Sequence, residues 1–361
     1  MSDLSSKERI EKLDKLLNAK NLRKGIFYFM FISIATLAGI YLVNNSGNFI
    51  SIWKNIDYRY IFLGFGFMAM DLFLGGLRNH LFAKTLAKGM KLTVAIKANL
   101  ANIFLGAVTP SQTGGGVAHW YIFWKHGLKT QDFLTLSFAN FISTLLFFPI
   151  SGFIAMRILK DDSPDGFVNF LMQFGYFVFT TLGVLVLVAL FFPQVIDKIV
   201  TFFSFILLKI RPEMKNKLSG FSDRATKIMT NYRRSLKQFC LSHPWLFVLS
   251  FFLTVLLYFN KFVCAYFLLL AFGVEGDFWT VVAIQAVVYL ILYFAPTPGG
   301  SGIAELSISG LMSNIISGDY SASFILLFRS FMFFIPALLG SLVMLLEVPR
   351  NRIPPEKVYV S

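Results

Sequence analysis

The stretch "APTPGGSGIAELS", residues 295–307, interrupts one of the most apolar regions of the chain. The run "VVAIQAVVYLILYF" leads into it and "ISGLM" follows it. Its prolines and glycines break a helix, and a break at membrane depth frees backbone groups that lipid cannot hydrogen-bond. Such backbone is tolerated only where protein or a wet cavity surrounds it. The stretch therefore predicts a polar interior inside a membrane protein.

The composition of the whole chain is that of a multi-spanning membrane protein. Of its 361 residues, 56% are hydrophobic and 14% are charged, and its mean hydropathy is +0.66. Several apolar runs reach the roughly 20 residues that cross a bilayer as a helix, and they lack the alternation of outer-membrane strands. The expected fold class is an all-α, polytopic membrane helix bundle. The net charge of +14 does not indicate nucleic acid, because the basic residues cluster between the apolar runs.

Run lengths and Gly/Pro breaks divide the chain into about six full spans and two shorter units. The full spans are predicted at 25–43, 60–82, 131–157, 167–191, 245–272 and 322–347. They form one transmembrane domain, 25–347, between a basic N-terminal segment, 1–24, and a tail, 348–361. Within it, 193–244 carries ten basic and three acidic residues, which predicts amphipathic helices on the cytoplasmic leaflet. A loop that only sets the orientation is the alternative.

The two shorter units, 94–124 and 278–316, each have an apolar half, a Pro/Gly-rich break and a second half. We expect each to be a re-entrant hairpin that dips into the membrane and leaves on the side it entered. The breaks also resemble each other: "GGGVAH" at 114–119 aligns with "GSGIAE" at 300–305, which pairs His119 with Glu305. Inverted repeats that meet at broken helices near the midplane are a known transporter plan.

The distribution of basic residues predicts the orientation. With two re-entrant hairpins and a cytoplasmic N-terminus, 26 of the 33 Lys and Arg residues fall on the cytoplasmic side and four fall outside. This imbalance is what the positive-inside rule requires. We therefore expect a multi-pass protein of the cell membrane with both termini cytoplasmic. Full double crossings in place of the hairpins keep the same parity, so that alternative stays open.

The helices that restart after "TPSQTGGG" and "PTPGGSG" are candidate anion sites. A restarted helix has free N–H groups and the positive end of its dipole, and glycine lets a ligand approach the backbone closely. Phosphate suits such a site. The alternative is that the Pro and Gly residues only permit close packing or a kink.

Two arginines within apolar runs, Arg78 and Arg329, are candidates to neutralise that phosphate. A cation at the centre of a membrane helix costs roughly 2.5–3.5 kcal/mol, so it is retained where it has a use. Arg78 lies near a predicted cytoplasmic end, where snorkelling is the alternative. Three roles are open for Glu305: helix cap, partner of an arginine, or proton carrier. The candidate substrate-binding residues are Arg78, Thr109, Pro110, Gly114, Gly115, Gly116, His119, Pro298, Gly299, Gly300, Gly302, Glu305 and Arg329.

The motifs of common enzyme classes are absent from the sequence. It has no phosphate-binding loop of ATPases, no dinucleotide fingerprint, and no zinc-protease or serine-hydrolase signature. Its four histidines lack metal-ligand spacing. We therefore expect no catalytic residue, no metal, no cofactor and no nucleic-acid partner, and we do not expect an enzyme.

Four segments together resemble the lysylphosphatidylglycerol synthase transmembrane-region family of flippase-like proteins. They are "LRNHLFAKTL", "TPSQTGGGVAHWYIFWKHGL", "PTPGGSGIAELS" and the arginine before "FIPALLGSL". The resemblance covers about residues 25–347. It implies a bundle that moves an anionic, aminoacylated or other phosphate-linked lipid between leaflets. In the best-known relatives a soluble aminoacyl transferase domain follows such a region, and the printed sequence ends at Ser361 without one, so we expect any lipid-modifying enzyme to be a separate partner.

The expected function is thus that of a lipid flippase or translocase whose partners are membrane lipids. One alternative is an integral-membrane transferase that uses a lipid-phosphate donor, with Glu305 or Asp71 as base. Another is an assembly partner without transport of its own. The sequence leaves open which lipid is moved, in which direction, and in which oligomeric state.

Overall fold

The computed structural model describes residues 49–159, 173–185 apart from 182, and 242–347, together with part of 27–42. Within these ranges all regular structure is helical and no strand occurs, which confirms the all-α fold class. The segments 1–24 and 348–361 and nearly all of 193–244 lie outside the described residues. The predicted roles of these segments therefore stay predictions.

The helices of the described ranges are numbered in chain order. They are α1 Phe49–Lys54, α2 Tyr58–Leu86, α3 Leu92–Val108, α4 Thr113–Lys125, α5 Thr130–Ile158, α6 Gln173–Leu185, α7 Pro244–Leu270, α8 Phe278–Tyr293, α9 Ile303–Leu311, α10 Gly318–Arg329 and α11 Ile335–Glu347. Short 3-10 turns, Pro110–Gln112 and Pro298–Gly300, precede α4 and α9. A π-helical turn, Ser330–Phe334, joins α10 and α11 into one continuous helix, Gly318–Glu347, which we call the rod.

Four helices of the described chain are long and apolar enough to cross a membrane. They are α2, α5, α7 and the rod, and they match the spans predicted at 60–82, 131–157, 245–272 and 322–347. The helical residues between 27 and 42, and α6, fall inside the other two predicted spans, 25–43 and 167–191. The full extent of those two spans lies outside the described residues, so the total of six stays a prediction.

Both shorter units form helical hairpins. In the first, α3 and α4 pack along each other on either side of a break at 109–112. In the second, α8 and α9 do the same around a break at 294–302. Whether each hairpin leaves the membrane on the side it entered stays a prediction.

The two hairpins point toward each other along the rod. Lys125, at the end of α4, bonds Glu347 at the end of the rod, whereas Phe272, before α8, packs on Tyr320 near the start of the rod. Helices α3 and α8 are each about 25 Å long and the rod is about 45 Å long, so the tips meet near its middle. There the N–H of Ser111 donates to the carbonyl oxygen of Pro296 at 3.2 Å.

The two breaks share a backbone conformation. Each begins with a Thr-Pro step whose proline opens the 3-10 turn, and the next two residues are left-handed. In the second break these residues are Gly299 and Gly300, with φ of 58° and 68°. In the first they are Ser111 and Gln112, with φ of 49° and 54°. Left-handed backbone is uncommon outside glycine, so the first break holds strain that the second avoids.

The two breaks differ after the left-handed pair. Helix α4 begins at once at Thr113, whereas an extended Ser301 and a left-handed Gly302 precede α9 at Ile303. The two helices therefore start at different distances from their Thr-Pro steps, and the pairing of His119 with Glu305 stays a prediction.

Gly340 lets the backbone of the rod pack directly against the backbone of the first hairpin where the two cross. A Cβ at Gly340 would overlap the carbonyl oxygen of Leu100 in α3 and would lie 2.8 Å from the Cβ of Phe104. Small residues at helix crossings allow this approach in membranes, where packing contacts drive helix association.

We expect Gly340→Ala to destabilise the protein by about 1–3 kcal/mol, the usual cost of overpacking a filled interface. Gly66→Ala is the matched control, since it lies in helix α2 and a Cβ there meets no atom within 4 Å. Thermal unfolding in detergent, followed by size-exclusion fluorescence, measures both. Equal unfolding midpoints for the two variants would contradict the close crossing.

Candidate functional site

The second break is tied to the rod by a buried ion pair. The Nε of Arg329 lies 3.2 Å from Oε1 of Glu305, and the side chains are 5% and 0% exposed. Both Nη1 and Nη2 of Arg329 donate to the carbonyl oxygen of Gly299 at 3.3 Å. The rings of Phe333 and Phe334 lie 4.7 and 5.4 Å from the guanidinium carbon. The carboxylate, the carbonyl oxygen and the two rings of the protein therefore stabilise the charge of Arg329, without a ligand.

Glu305 also caps the helix that it begins. Its Oε2 accepts the N–H of Gly302 at 2.7 Å, directly before α9. An anion is stabilised at a helix N-terminus by the free N–H groups and the dipole. In α9 that position is taken by the protein's own carboxylate. The cap and the arginine partner are thus both observed roles of Glu305, and the proton-carrier role stays a prediction.

The first break has no carboxylate in the equivalent place. The N–H of Gly114 donates to Oγ1 of Thr109 at 2.9 Å, and residues 109–125 contain no Asp or Glu. The N-cap of α4, Gln112, makes no side-chain capping bond. The N-terminus of α4 is therefore capped by a neutral hydroxyl only.

The three glycines of the first break differ in what surrounds them. A Cβ at Gly114 would lie 2.7 Å from the side chain of Thr109, and one at Gly115 would lie 2.5 Å from that of Asn102. A Cβ at Gly116 would meet no atom within 4 Å. Close packing thus explains why positions 114 and 115 are glycine. The predicted role of glycine, to let a ligand approach the backbone, stays a prediction for Gly116.

Arg78 differs from Arg329 because no carboxylate of the described chain lies within ion-pair distance of it. Its Nη1 donates to Oγ1 of Thr254 in α7 at 3.0 Å, and its buried Nε has no hydrogen-bond partner. Tyr258, Asp71 and Tyr293 lie close enough to interact with it electrostatically. Arg78 is therefore a partly buried cation that lacks a contacting anion.

His119 is placed with Arg78 rather than with the second break. It lies on α4, is 9% exposed, and packs against the rings of Phe123 and Phe133 at 5.1 and 5.3 Å. Its buried Nε2 has no hydrogen-bond partner, and it lies within electrostatic reach of Arg78. Two unsatisfied nitrogens thus belong to the same side of the bundle.

A buried polar cluster next to Arg78 was not found from the sequence. Nδ2 of Asn140 in α5 donates to Oδ1 of Asn79 in α2 at 2.7 Å. Ser143, one turn further along α5, donates to Ser250 in α7 at 3.0 Å, and Ser250 bonds Oδ1 of Asn140. The signal was available, since Asn140 and Ser143 lie three residues apart within an apolar run. This cluster fixes α2, α5 and α7 around Arg78.

The remaining buried carboxylates are also paired. Asp71 in α2 forms an ion pair with Lys261 in α7. The carboxylate of Glu347 forms ion pairs with Nζ of Lys97 at 2.8 Å and with Nζ of Lys125 at 2.7 Å. These pairs attach the first hairpin to the end of the rod.

The predicted pocket between the breaks stays a prediction. A cavity of about 300 Å³ in the described chain lies instead at the base of the second hairpin, where Glu275, Asp277 and Asn314 line it. The breaks contact each other directly through Ser111 and Pro296.

Removing one partner of the buried pair of Arg329 and Glu305 should strongly destabilise the folded protein. Arg329→Met leaves Glu305 charged and unpaired, which costs about 3–5 kcal/mol. Adding Glu305→Gln to Arg329→Met should restore part of that loss, as a thermal midpoint in detergent would measure. The control is Lys97→Met, whose side chain is 47% exposed and whose pair is worth at most about 1 kcal/mol. Similar losses for Arg329→Met and Lys97→Met would contradict the buried pair.

Comparison with known proteins identifies related sequences. A family model described as "Lysylphosphatidylglycerol synthase TM region" matches residues 30–340, which include both breaks and both arginines. A UPF0104 membrane protein of Archaeoglobus fulgidus is 21% identical over 291 residues, which covers 80% of this chain and 86% of that protein. No solved structure matches the chain.

Proposed function

Because the chain belongs to the lysylphosphatidylglycerol synthase TM region family, we propose that it is a flippase, which moves a phosphate-bearing lipid between the leaflets of a membrane. The observation that carries the proposal is the contact between two helix breaks at the tips of opposed hairpins. Broken helices that meet inside a bundle are the geometry from which transporters build alternating access.

The phosphate would be received on the side of the first hairpin. Arg78 offers N–H donors that no carboxylate occupies, and the N-terminus of α4 offers backbone N–H groups beside the open position at Gly116. A phosphate oxygen could accept from both. The acyl tails would remain in lipid, since only the headgroup needs a polar path.

Movement of the headgroup requires the breaks to part. The hydrogen bond from Ser111 to Pro296 closes the path between the hairpins. The second break is held firmly by Arg329 and Glu305, whereas the first is left-handed at two non-glycine residues. We therefore assign the larger movement to the first break, whose strained conformation stabilises the closed arrangement less.

The proposal includes the membrane arrangement expected from the sequence. Both hairpins are re-entrant, the protein lies in the cell membrane, and both termini are cytoplasmic, in accord with the distribution of Lys and Arg.

No catalytic step is assigned to this chain. A membrane transferase would need a carboxylate free to act as base, and the candidates Asp71 and Glu305 are each held by a basic side chain. The proposed role is therefore transport without chemistry.

The test is a flip assay in proteoliposomes that contain a tail-labelled fluorescent phosphatidylglycerol, with dithionite added outside. Wild-type protein should speed the loss of inner-leaflet fluorescence above that of empty vesicles. Arg78→Gln should slow this rate at least about tenfold, the loss of one charge-assisted contact of 1.5–3 kcal/mol.

Arg157→Gln is the matched control for Arg78→Gln. Arg157 lies in the last turn of α5 and stacks over Phe153, away from both breaks. It should retain the wild-type rate. A wild-type rate equal to that of empty vesicles would refute the flippase, and equal rates for Arg78→Gln and Arg157→Gln would remove Arg78 from the site.

A further inference from the structure

The described bundle has no buried carboxylate left to receive a cation. Its buried acidic residues are Asp71, Glu305 and Glu347. Asp71 is paired with Lys261, Glu305 with Arg329, and Glu347 with two lysines. Breaking the pair of Asp71 or Glu305 to bind a ligand ammonium would leave Lys261 or Arg329 unpaired in a buried place, which is strongly unfavourable. At Glu347 a ligand ammonium would have to compete with two lysines.

Arg78 in α2 and the N-terminus of α4 are positive groups that no carboxylate of the described chain contacts. Arg78 has a buried Nε without a partner and no carboxylate in contact. Residues 109–125 contain no Asp or Glu, so the dipole of α4 is not offset by a carboxylate of its own, as that of α9 is by Glu305. His119, with its unpartnered Nε2, adds a second polar group but no negative charge.

Aromatic side chains do not replace the missing carboxylate near Arg78. A ligand ammonium can bind on an aromatic face. The ring of Tyr258 already stacks on Phe147 at 4.8 Å. The ring of Tyr293 packs on Phe148 and Phe179 at 5.7 and 4.8 Å. Both tyrosine rings are thus already packed against phenylalanine rings of the bundle.

We infer that this site selects a phosphate-bearing lipid whose headgroup is net negative and carries no aminoacyl ammonium group. The inference rests on the flippase function proposed above and narrows its substrate class. A headgroup with a phosphate and no cation supplies the one charge that Arg78 lacks. An aminoacyl ester would bring a second cation within several ångströms of Arg78.

The penalty for that second cation sets the expected selectivity. Two like charges about 7 Å apart at an effective dielectric constant of about 20 repel strongly enough to weaken binding at least about tenfold. The site should therefore discriminate by headgroup charge rather than by the acyl chains.

The experiment compares three tail-labelled lipids in the same proteoliposomes: phosphatidylglycerol, its lysyl ester, and zwitterionic phosphatidylcholine. Dithionite quenching gives a flip rate for each. Wild-type protein should move phosphatidylglycerol at least about tenfold faster than the lysyl ester, with phosphatidylcholine also slow. A lysyl ester that moves as fast or faster overturns the inference, and so do equal rates for all three lipids, although both results leave the flippase in place. Failure of every lipid to exceed empty vesicles refutes the proposed function itself.

A charge placed beside Arg78 tests the cause of the selectivity. Thr254→Asp puts a carboxylate where the hydroxyl now accepts from Arg78. It should lower the rate for phosphatidylglycerol and shift the ratio of the two rates toward the lysyl ester at least about tenfold. Arg157→Gln, which lies outside the site, should leave that ratio unchanged. An unchanged ratio in Thr254→Asp overturns the role of Arg78, and if that variant does not fold, the wild-type ratio alone decides.

Discussion

The backbone hydrogen bonds that two broken helices lose must be made elsewhere, because lipid offers no partner. In this protein the two breaks supply them to each other and to nearby side chains. Ser111 donates to Pro296 across the contact, Thr109 caps Gly114, and Glu305 caps Gly302. Arg329 covers the carbonyl of Gly299. The meeting of the hairpins, the ion pair on the rod and the position of the candidate site all follow from this requirement.

The pairing of charges separates structural from functional residues. A buried arginine with a contacting carboxylate, such as Arg329, mainly holds two elements together, and its charge is not available to a ligand. Arg78 has a hydroxyl in place of a carboxylate. Both arginines look alike in the sequence, since each lies in an apolar run. The sequence shows that residues 109–125 of the first break contain no acid, and the folded chain shows that the acid of the second break meets Arg329.

The sequence was sufficient for the features that depend on hydrophobic length and on proline and glycine. Spans at α2, α5, α7 and the rod, and both hairpins, follow from run length and breaks. The left-handed pair of the first break could not be predicted, because Ser111 and Gln112 are not glycine, the residue that signals such a conformation. Which carboxylate meets which base also could not be predicted, since residues such as Lys97 and Glu347 are brought together only by the packing of separate helices.

The rod is fastened to one hairpin by Arg329 and to the other by Glu347. Between these two attachments lies the π-helical turn, where the helical ladder is wider and bends more easily than the α-helix on either side. A tilt of either half of the rod about this turn would pull on one hairpin while the other remained clamped. In the proposed transport cycle, bending at this turn would allow the hairpin contacts at the two ends of the rod to be released one after the other.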